Sequence, residues 1–468
     1  MMKRVCGLVL ICLAMGVSPV FADNDTDLDR IPTDTPPPPD VDAAKQGTPD
    51  ARQRIFIEED FTVTALRNNL LVPIPPPEPS SWQERFLFDA RKEWALDDQV
   101  ALIVSDRFNF RAENDLTFPS HQNVINEFRE GYLSWKIIDG TYFDLGRLNE
   151  KSGVAVGFNP TDFFKTRTVI DPLTADPEVL REDRLGTVML RAQEISEAGT
   201  ITAVFAPALT RQTPVYTNQD LRSIDPSFDR TNATDRTLVK ATPSIYQDFN
   251  PELLLYRESN RTSFGANMTE GLGQRIVAYA EWAGGDRSSL IDEALRFGRN
   301  TGTLPGAAPS VLPEDPRRHF QNDLSVGGSY ATESKITINL EYHFHQAGFS
   351  NQDFNNFFSA GARNQRPIDD ELTFIRAYAL EQQEPLGTQS IFLRADWVDA
   401  FVTDLELTGF IDTDLYDGSS EFQINGQYYL SNSWTFGALA GAALGRRHSE
   451  FGSVPEVATY LVKLSRYF

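Results

Sequence analysis

The stretch Lys335-Ile336-Thr337-Ile338-Asn339-Leu340-Glu341-Tyr342-His343-Phe344-His345 alternates apolar and polar residues without a break. Ile336, Ile338, Leu340, Tyr342 and Phe344 hold one set of positions; Thr337, Asn339, Glu341, His343 and His345 hold the other. Successive side chains of an extended chain point to opposite faces, so this segment predicts a strand with one apolar and one polar face.

The same period recurs at Val100-x-Leu102-x-Val104, at Ile276-x-Ala278-x-Ala280-x-Trp282, at Phe422-x-Ile424 and at Trp434-x-Phe436. Further strands are expected at 85–95, 127–138, 141–148, 184–193, 199–207, 261–270, 319–332, 372–383, 389–398, 402–412 and 456–468. No stretch reads as a long amphipathic helix. The pattern predicts an all-β chain of about 16 strands, with 14–18 open. Placing the long polar segments 149–183 and 209–260 at one end of the strands leaves an odd count, which points to a missed or split strand within 241–258 or 389–412.

Alternation alone fits a soluble β-sandwich as well as a transmembrane antiparallel β-barrel. Three features favour the barrel. Met1-Met2-Lys3-Arg4, the apolar run Val5–Val17 and the small-residue flank ending at Ala22 have the layout of a signal peptide over 1–22. Its removal takes away Cys6 and Cys12, the only two Cys of the chain, so no disulfide holds the rest together. Aromatic residues such as Tyr342, Phe344, Trp282, Tyr428 and Trp434 flank the apolar runs, as interfacial girdles do. The chain ends on an alternating strand, Tyr460-x-Val462-x-Leu464-x-x-x-Phe468, and a terminal aromatic on such a strand suits a barrel-assembly signal. A barrel would lie in outer-membrane lipid and depend on the barrel assembly machinery.

The 468 residues carry 43 Lys+Arg against 66 Asp+Glu, a formal net charge of −23, which argues against a nucleic-acid partner. Residues 23–50 are rich in Asp and contain Pro36 to Pro39, and a second Pro cluster spans Pro73 to Pro79. Segment 23–81 is therefore expected to be an acidic, Pro-rich periplasmic stretch, mostly disordered, ahead of a barrel over 82–468. Residues 54–71 within it read as a short helix or a plug-like strand. The stretch 23–80 could also dock a periplasmic partner.

Several strings, taken in order, resemble a family of porin-like Gram-negative outer-membrane barrels distantly similar to alginate-export channels. They are Arg129-Glu130-Gly131-Tyr132, Gly146-Arg147-x-Asn149, Gly157-Phe158-Asn159-Pro160-Thr161-Asp162, Asp417-Gly418-Ser419 and Ser449-Glu450-Phe451-Gly452-Ser453-x-Pro455. The resemblance implies a membrane pore.

Segment 149–183 joins two clear strands, and the expectation is that part of it folds into the lumen as a constriction. Its charged residues, with Arg147 just before it, give the candidate constriction set Arg147, Lys151, Asp162, Lys165, Arg167 and Asp171. Opposed charges across a narrow pore select by charge and size. The alternative is an ordinary external loop with Asn-Pro and Asp-Pro turns. Glu341, His343 and His345 share one strand face and could hold a metal, although lumen-lining polar residues fit the same pattern.

No cofactor is expected. A hydrolase reading rests only on adjacent acids such as Asp97-Asp98 and Asp369-Asp370, which fit turn caps better because neighbouring strand residues face opposite ways. Passage of small solutes or of an exported or imported hydrophilic substrate is the expected function. A non-conducting docking component of an export assembly is the alternative.

Overall fold

The computed structural model describes residues 53–72, 80–113, 124–170, 173–213, 225–245, 249–306, 310–315, 317–363 and 365–468. The expected signal peptide, the Asp-rich segment up to residue 52, the second Pro cluster and Asp171 lie outside the described residues.

The strands in chain order are β1 (Gln53–Leu66), β2 (Trp82–Ala95), β3 (Val100–Glu113), β4 (Val124–Ile138), β5 (Thr141–Leu148), β6 (Thr187–Ser196), β7 (Gly199–Ala206), β8 (Arg236–Pro243) and β9 (Phe249–Glu258). They continue as β10 (Arg261–Leu272), β11 (Ile276–Arg287), β12 (His319–Ala331), β13 (Ile336–His345), β14 (Gln389–Trp397), β15 (Leu405–Asp414), β16 (Ser420–Ser431), β17 (Trp434–Leu444) and β18 (Glu456–Tyr467). Every strand pairs antiparallel with its sequence neighbours, and β1 closes the ring on β18, so the 18 strands form one closed barrel. Closure pairs the backbone groups that an open sheet would leave at its edges.

The wall has two unlike faces. On β13, Leu340 is 54% exposed on the outside, whereas Glu341, its neighbour, is 0% exposed on the inside. Phe86, Phe88, Trp135, Val239, Leu255, Phe264, Phe436 and Val462 continue the outer apolar surface. The inner face carries Asp60, Arg85, Asp89, Arg107, Arg129 and Arg394, all buried. Tyr460, Val462, Leu464 and Phe468 of the expected assembly signal all point outward and are exposed. No described helix is long and apolar enough to cross a membrane.

The expected 16 strands become 18. Gln53–Leu66, read as part of the segment ahead of the barrel, is the wall strand β1, so the wall begins at Gln53 and not at residue 82. The long connection expected over 209–260 contains β8 and β9. Residues 372–383, expected as a strand, lie mostly in a helix. These changes also restore an even count, with both ends of the described wall at the end that bears turns such as 139–140, 197–198 and 432–433.

The opposite end bears most of the long connections, and these hold the described helices α1 (Pro177–Glu182), α2 (Phe228–Thr231), α3 (Leu290–Thr301), α4 (Asn351–Gly361) and α5 (Arg366–Gln382). Ser289 caps α3 by accepting from the Asp292 N–H, and Ser350 with Asp353 forms a reciprocal capping box on α4. Leu372, Ile375 and Ala379 recur at helical spacing along α5 and are buried with Phe374 and Tyr378. Together with Leu290 and Leu295 of α3, Phe354 and Phe357 of α4, and Leu71 and Val72, they form one apolar cluster.

This helical cap lies on the long-loop mouth. Glu381 pairs with Arg230 of the β7–β8 connection at 3.0 Å, while Arg376 Nη1 donates to the Ser453 carbonyl of the β17–β18 connection at 3.2 Å. Those two connections leave the ring on nearly opposite sides, so α5 bridges the opening.

Glu450 stands beside the second anchor and shares a carboxyl hydrogen bond with Asp414. Burial first, then Asp414 and Asp412, push its carboxyl well above the ordinary glutamate value. The native carboxyl therefore keeps its proton to higher pH than the unfolded chain does. Its contribution to stability is full below the unfolded value and is lost as pH rises through the native one. Glu450→Gln is expected to raise the thermal midpoint at about pH 8 and to leave it level with the parent at about pH 4. An equal shift at both pH values would contradict this assignment.

Candidate functional site: an inward segment gripped by the wall

Residues 149–170 and 173–186, between β5 and β6, run across the lumen and touch strands around the ring. Two wall carboxylates hold the first half. Glu281 of β11 accepts from the backbone N–H of Val154 at 2.9 Å, Ala155 at 3.1 Å and Thr161 at 2.7 Å. Thr161 Oγ1 lies 2.9 Å from both Glu281 Oε1 and Asn267 Oδ1. Glu341 of β13 accepts from the N–H of Val156 at 2.6 Å and Gly157 at 2.9 Å, and from the Tyr279 hydroxyl at 2.7 Å. Both carboxylates are 0% exposed. The backbone thus presents successive donors to two fixed acceptors.

Two glycines permit that approach. Gly153 has φ +95°, and a Cβ there would lie 2.5 Å from Glu281 Oε1. A Cβ on Gly157 would lie 2.6 Å from Phe392 Cγ.

The second half is tied to other strands. Gln423 of β16 accepts from the Ala175 N–H at 2.9 Å and donates to Thr174 Oγ1 at 2.7 Å. Arg394 of β14 meets Asp176 at 3.1 Å. The segment then returns to the near wall, where Asp183 receives Arg107 Nη2 at 2.9 Å and Arg129 Nη1 at 3.1 Å. A bidentate pair, Arg184 to Asp162 at 2.7 and 3.1 Å, closes the segment on itself.

The expected constriction residues fall into distinct places. Asp162 is buried in the Arg184 pair. Lys165 donates to the Asn159 carbonyl at 2.8 Å and sits 4.5 Å from the Phe158 ring centroid. Burial pulls its ammonium below the ordinary lysine value, with Glu384 and Asp162 acting in the opposite direction. Arg167, at φ +59°, pairs with Glu381 at 2.8 Å and so joins the segment to the cap. Lys151 pairs with Glu182 and is partly exposed. Arg147 lies buried in the wall, donating to the carbonyls of Gly186 and Pro226 rather than facing a passage.

Glu150, which the sequence reading did not single out, is the partner of Lys240 at 2.9 Å and Arg191 at 3.1 Å. Burial alone would push its carboxyl up, but those two cations hold it below the ordinary range. Glu281 was also missed. Its signal is a lone carboxylate at an inward position of a strand noted only for its apolar alternation.

Glu341, His343 and His345 do share the inner face of β13. However, Glu341 is occupied by the inward segment, and His343 Nε2 and Nδ1 lie 2.8 Å from Glu341 and 3.1 Å from Ser390 Oγ. His345 Nδ1 lies 2.8 Å from Asp323. Among the described residues no group of three His, Cys, Asp or Glu side chains is arranged to hold a metal. Asp97 caps the β2–β3 turn by accepting from the Gln99 and Val100 N–H groups at 2.7 Å, while Asp369 and Asp370 lie in α5, one buried and the other exposed.

No protein-family model and no curated protein matches the sequence. Solved structures align with much of the chain at low identity. OccK11 of Pseudomonas aeruginosa aligns at TM-score 0.48 and 10% identity, over 89% of this chain and 95% of that one. OccK3 of the same organism aligns at 0.46 and 9%, over 89% and 95%. A triple mutant of Rhodopseudomonas blastica porin aligns at 0.40 and 10%, over 89% and 99%.

Proposed function

We propose that the protein is an outer-membrane channel that passes small hydrophilic solutes and performs no chemistry on them. The observation that carries this reading is the inward segment, which divides a charged lumen inside a closed wall whose outer face is apolar. An apolar outer face suits hydrocarbon, where a sheet leaves no backbone group unpaired only if it is closed. A charged lumen suits water and ions. Acids and bases set against each other along segment 149–186 would sort solutes by size and charge.

Purified protein refolded into a planar bilayer under a salt gradient is expected to give stable conductance and a reversal potential displaced from zero. Absence of conductance from a demonstrably folded barrel would overturn the reading.

A further inference from the structure

A chain of hydrogen bonds crosses the inner face from β13 to β15 beside the inward segment. His343 Nε2 lies 2.8 Å from Glu341 Oε2, and His343 Nδ1 lies 3.1 Å from Ser390 Oγ. Ser390 in turn shares a side-chain hydrogen bond with Asp412 of β15. Glu341, His343 and Ser390 are buried, whereas Asp412 is partly exposed.

The donors and acceptors fix how many protons this chain can use. Glu341 already accepts from the Val156 and Gly157 N–H groups and from the Tyr279 hydroxyl. It therefore faces His343 as a carboxylate, and Nε2 carries a hydrogen. Ser390 brings one hydrogen and stands between two acceptors, Nδ1 and the Asp412 carboxylate. Without a further proton, the hydroxyl serves one of them and leaves the other unmet. One added proton satisfies both. Seated on Nδ1, it is donated to Ser390, whose own hydrogen goes to Asp412; seated on Asp412, it is donated to Ser390, whose hydrogen goes to Nδ1.

The surroundings favour keeping that proton. Asp412 stands directly opposite Glu421 of β16, and like charges so placed repel. Glu341 and Glu450 also face Asp412, Asp414 and Asp412 both face Glu450, and Glu456 faces Glu421. Asp412 Oδ1 is buried and accepts no hydrogen bond among the described residues, which makes a full negative charge there costly. The cations on adjoining elements are engaged: Arg394 of β14 with Asp176 and Asp396, and Arg376 of α5 with the Ser453 carbonyl. Phe158 and Phe392 pack on the His343 ring, and Ser325 of β12 stands opposite it. Among the described residues, the charged groups that meet the imidazole are thus Glu341 and, through Ser390, Asp412.

We propose that His343 and Asp412 share one proton through Ser390, and that its loss as pH rises adds a negative charge to this side of the lumen and makes the channel more cation-selective. The proton leaves to water through Asp412, the partly exposed member. The Nε2–H bond to Glu341 is kept in both states, so the grip on the inward segment is unchanged and the charge alone switches. The selectivity rests on the channel reading; the shared proton does not.

The test follows the isotope-labelled histidine rings of the detergent-folded protein by NMR, with His343→Gln to assign the ring. Reversal potentials in a planar bilayer are read beside it, both from about pH 5 to about pH 9. Ring signal and potential are expected to change with one midpoint. Asp412→Asn removes one seat of the proton and is expected to lower the ring midpoint by at least about one pH unit and to abolish most of the pH-dependent change in potential. Ser390→Ala keeps every charge, cuts the relay and is expected to separate the two midpoints by at least about one pH unit. A parental ring midpoint in Asp412→Asn, or a single common midpoint in Ser390→Ala, would overturn the shared proton. A potential that ignores pH in a conducting barrel would overturn the selectivity. A folded barrel whose ring titrates as expected but which does not conduct sinks the channel reading and leaves the shared proton standing.

Discussion

Glu281→Gln combined with Glu341→Gln is expected to raise single-channel conductance by at least about twofold while the barrel stays folded. The two carboxylates accept the backbone N–H groups of Val154, Ala155, Val156, Gly157 and Thr161. An amide keeps the shape but replaces one acceptor oxygen by a donor, which then faces other donors. Each buried N–H left unpaired costs about 1–3 kcal/mol. Several such losses in one short segment exceed what its remaining contacts supply, so the turn around Gly157 is expected to leave the wall and take water as its partner. The barrel does not depend on that contact, because the ladder of β11 with β10 and β12 is made by backbone groups alone. Bilayer recordings check the conductance, and hydrogen exchange over 153–161 checks the release. Parental conductance together with parental protection in the double variant would rule out the clip.

How much of this could be read from the sequence depends on how cleanly each strand separates its two faces. β13 was legible because its inner residues are polar and its outer ones apolar. β1 was not, because Glu58, Glu59 and Asp60 run together; Glu59 points outward and breaks the alternation. β9 was hidden for the opposite reason. Leu253, Leu254 and Leu255 are continuous because Leu254 faces inward onto an apolar cluster with Phe164, Tyr256 and Met189. An inward loop that brings its own aromatic residues thus removes the polar half of the pattern the strand signal relies on.

The error over α5 has a related cause. Leu372 with Phe374, and Ala377 with Ala379, imitate a two-residue period, while the burial of Leu372, Ile375 and Ala379 follows the helical one. At the candidate site, the Gly-Phe-Asn-Pro-Thr-Asp string lies in the segment whose backbone Glu281 and Glu341 hold. Its partners on the wall lie more than a hundred residues away in sequence, and no local pattern carries a pairing of that range.

Asp89→Asn is expected to be the most damaging single change in the lumen wall. Asp89 is 0% exposed and receives Arg107 Nε at 2.8 Å and Arg129 Nη2 at 2.6 Å, with Arg54 at 3.5 Å. Arg107 and Arg129 are themselves buried, so neither can turn to water when the carboxylate is lost. Asp183 is their other shared partner, and its side chain is 38% exposed. Removing one member of a buried ion network leaves the remaining charges uncompensated at a cost of about 3–5 kcal/mol. Asp183→Asn is expected to cost less, because water reaches that carboxylate and screens the pair.

The denaturant midpoint of Asp89→Asn should therefore fall well below that of Asp183→Asn. The reversal potential should move toward anion preference, since the near wall then loses one negative charge beside Arg107 and Arg129. Asp89→Asn with Arg129→Gln removes one charge of each sign and should recover part of both effects. Equal midpoints for the two single variants, or no recovery in the double variant, would mean that water entering the lumen screens these charges and that the network sets neither stability nor selectivity.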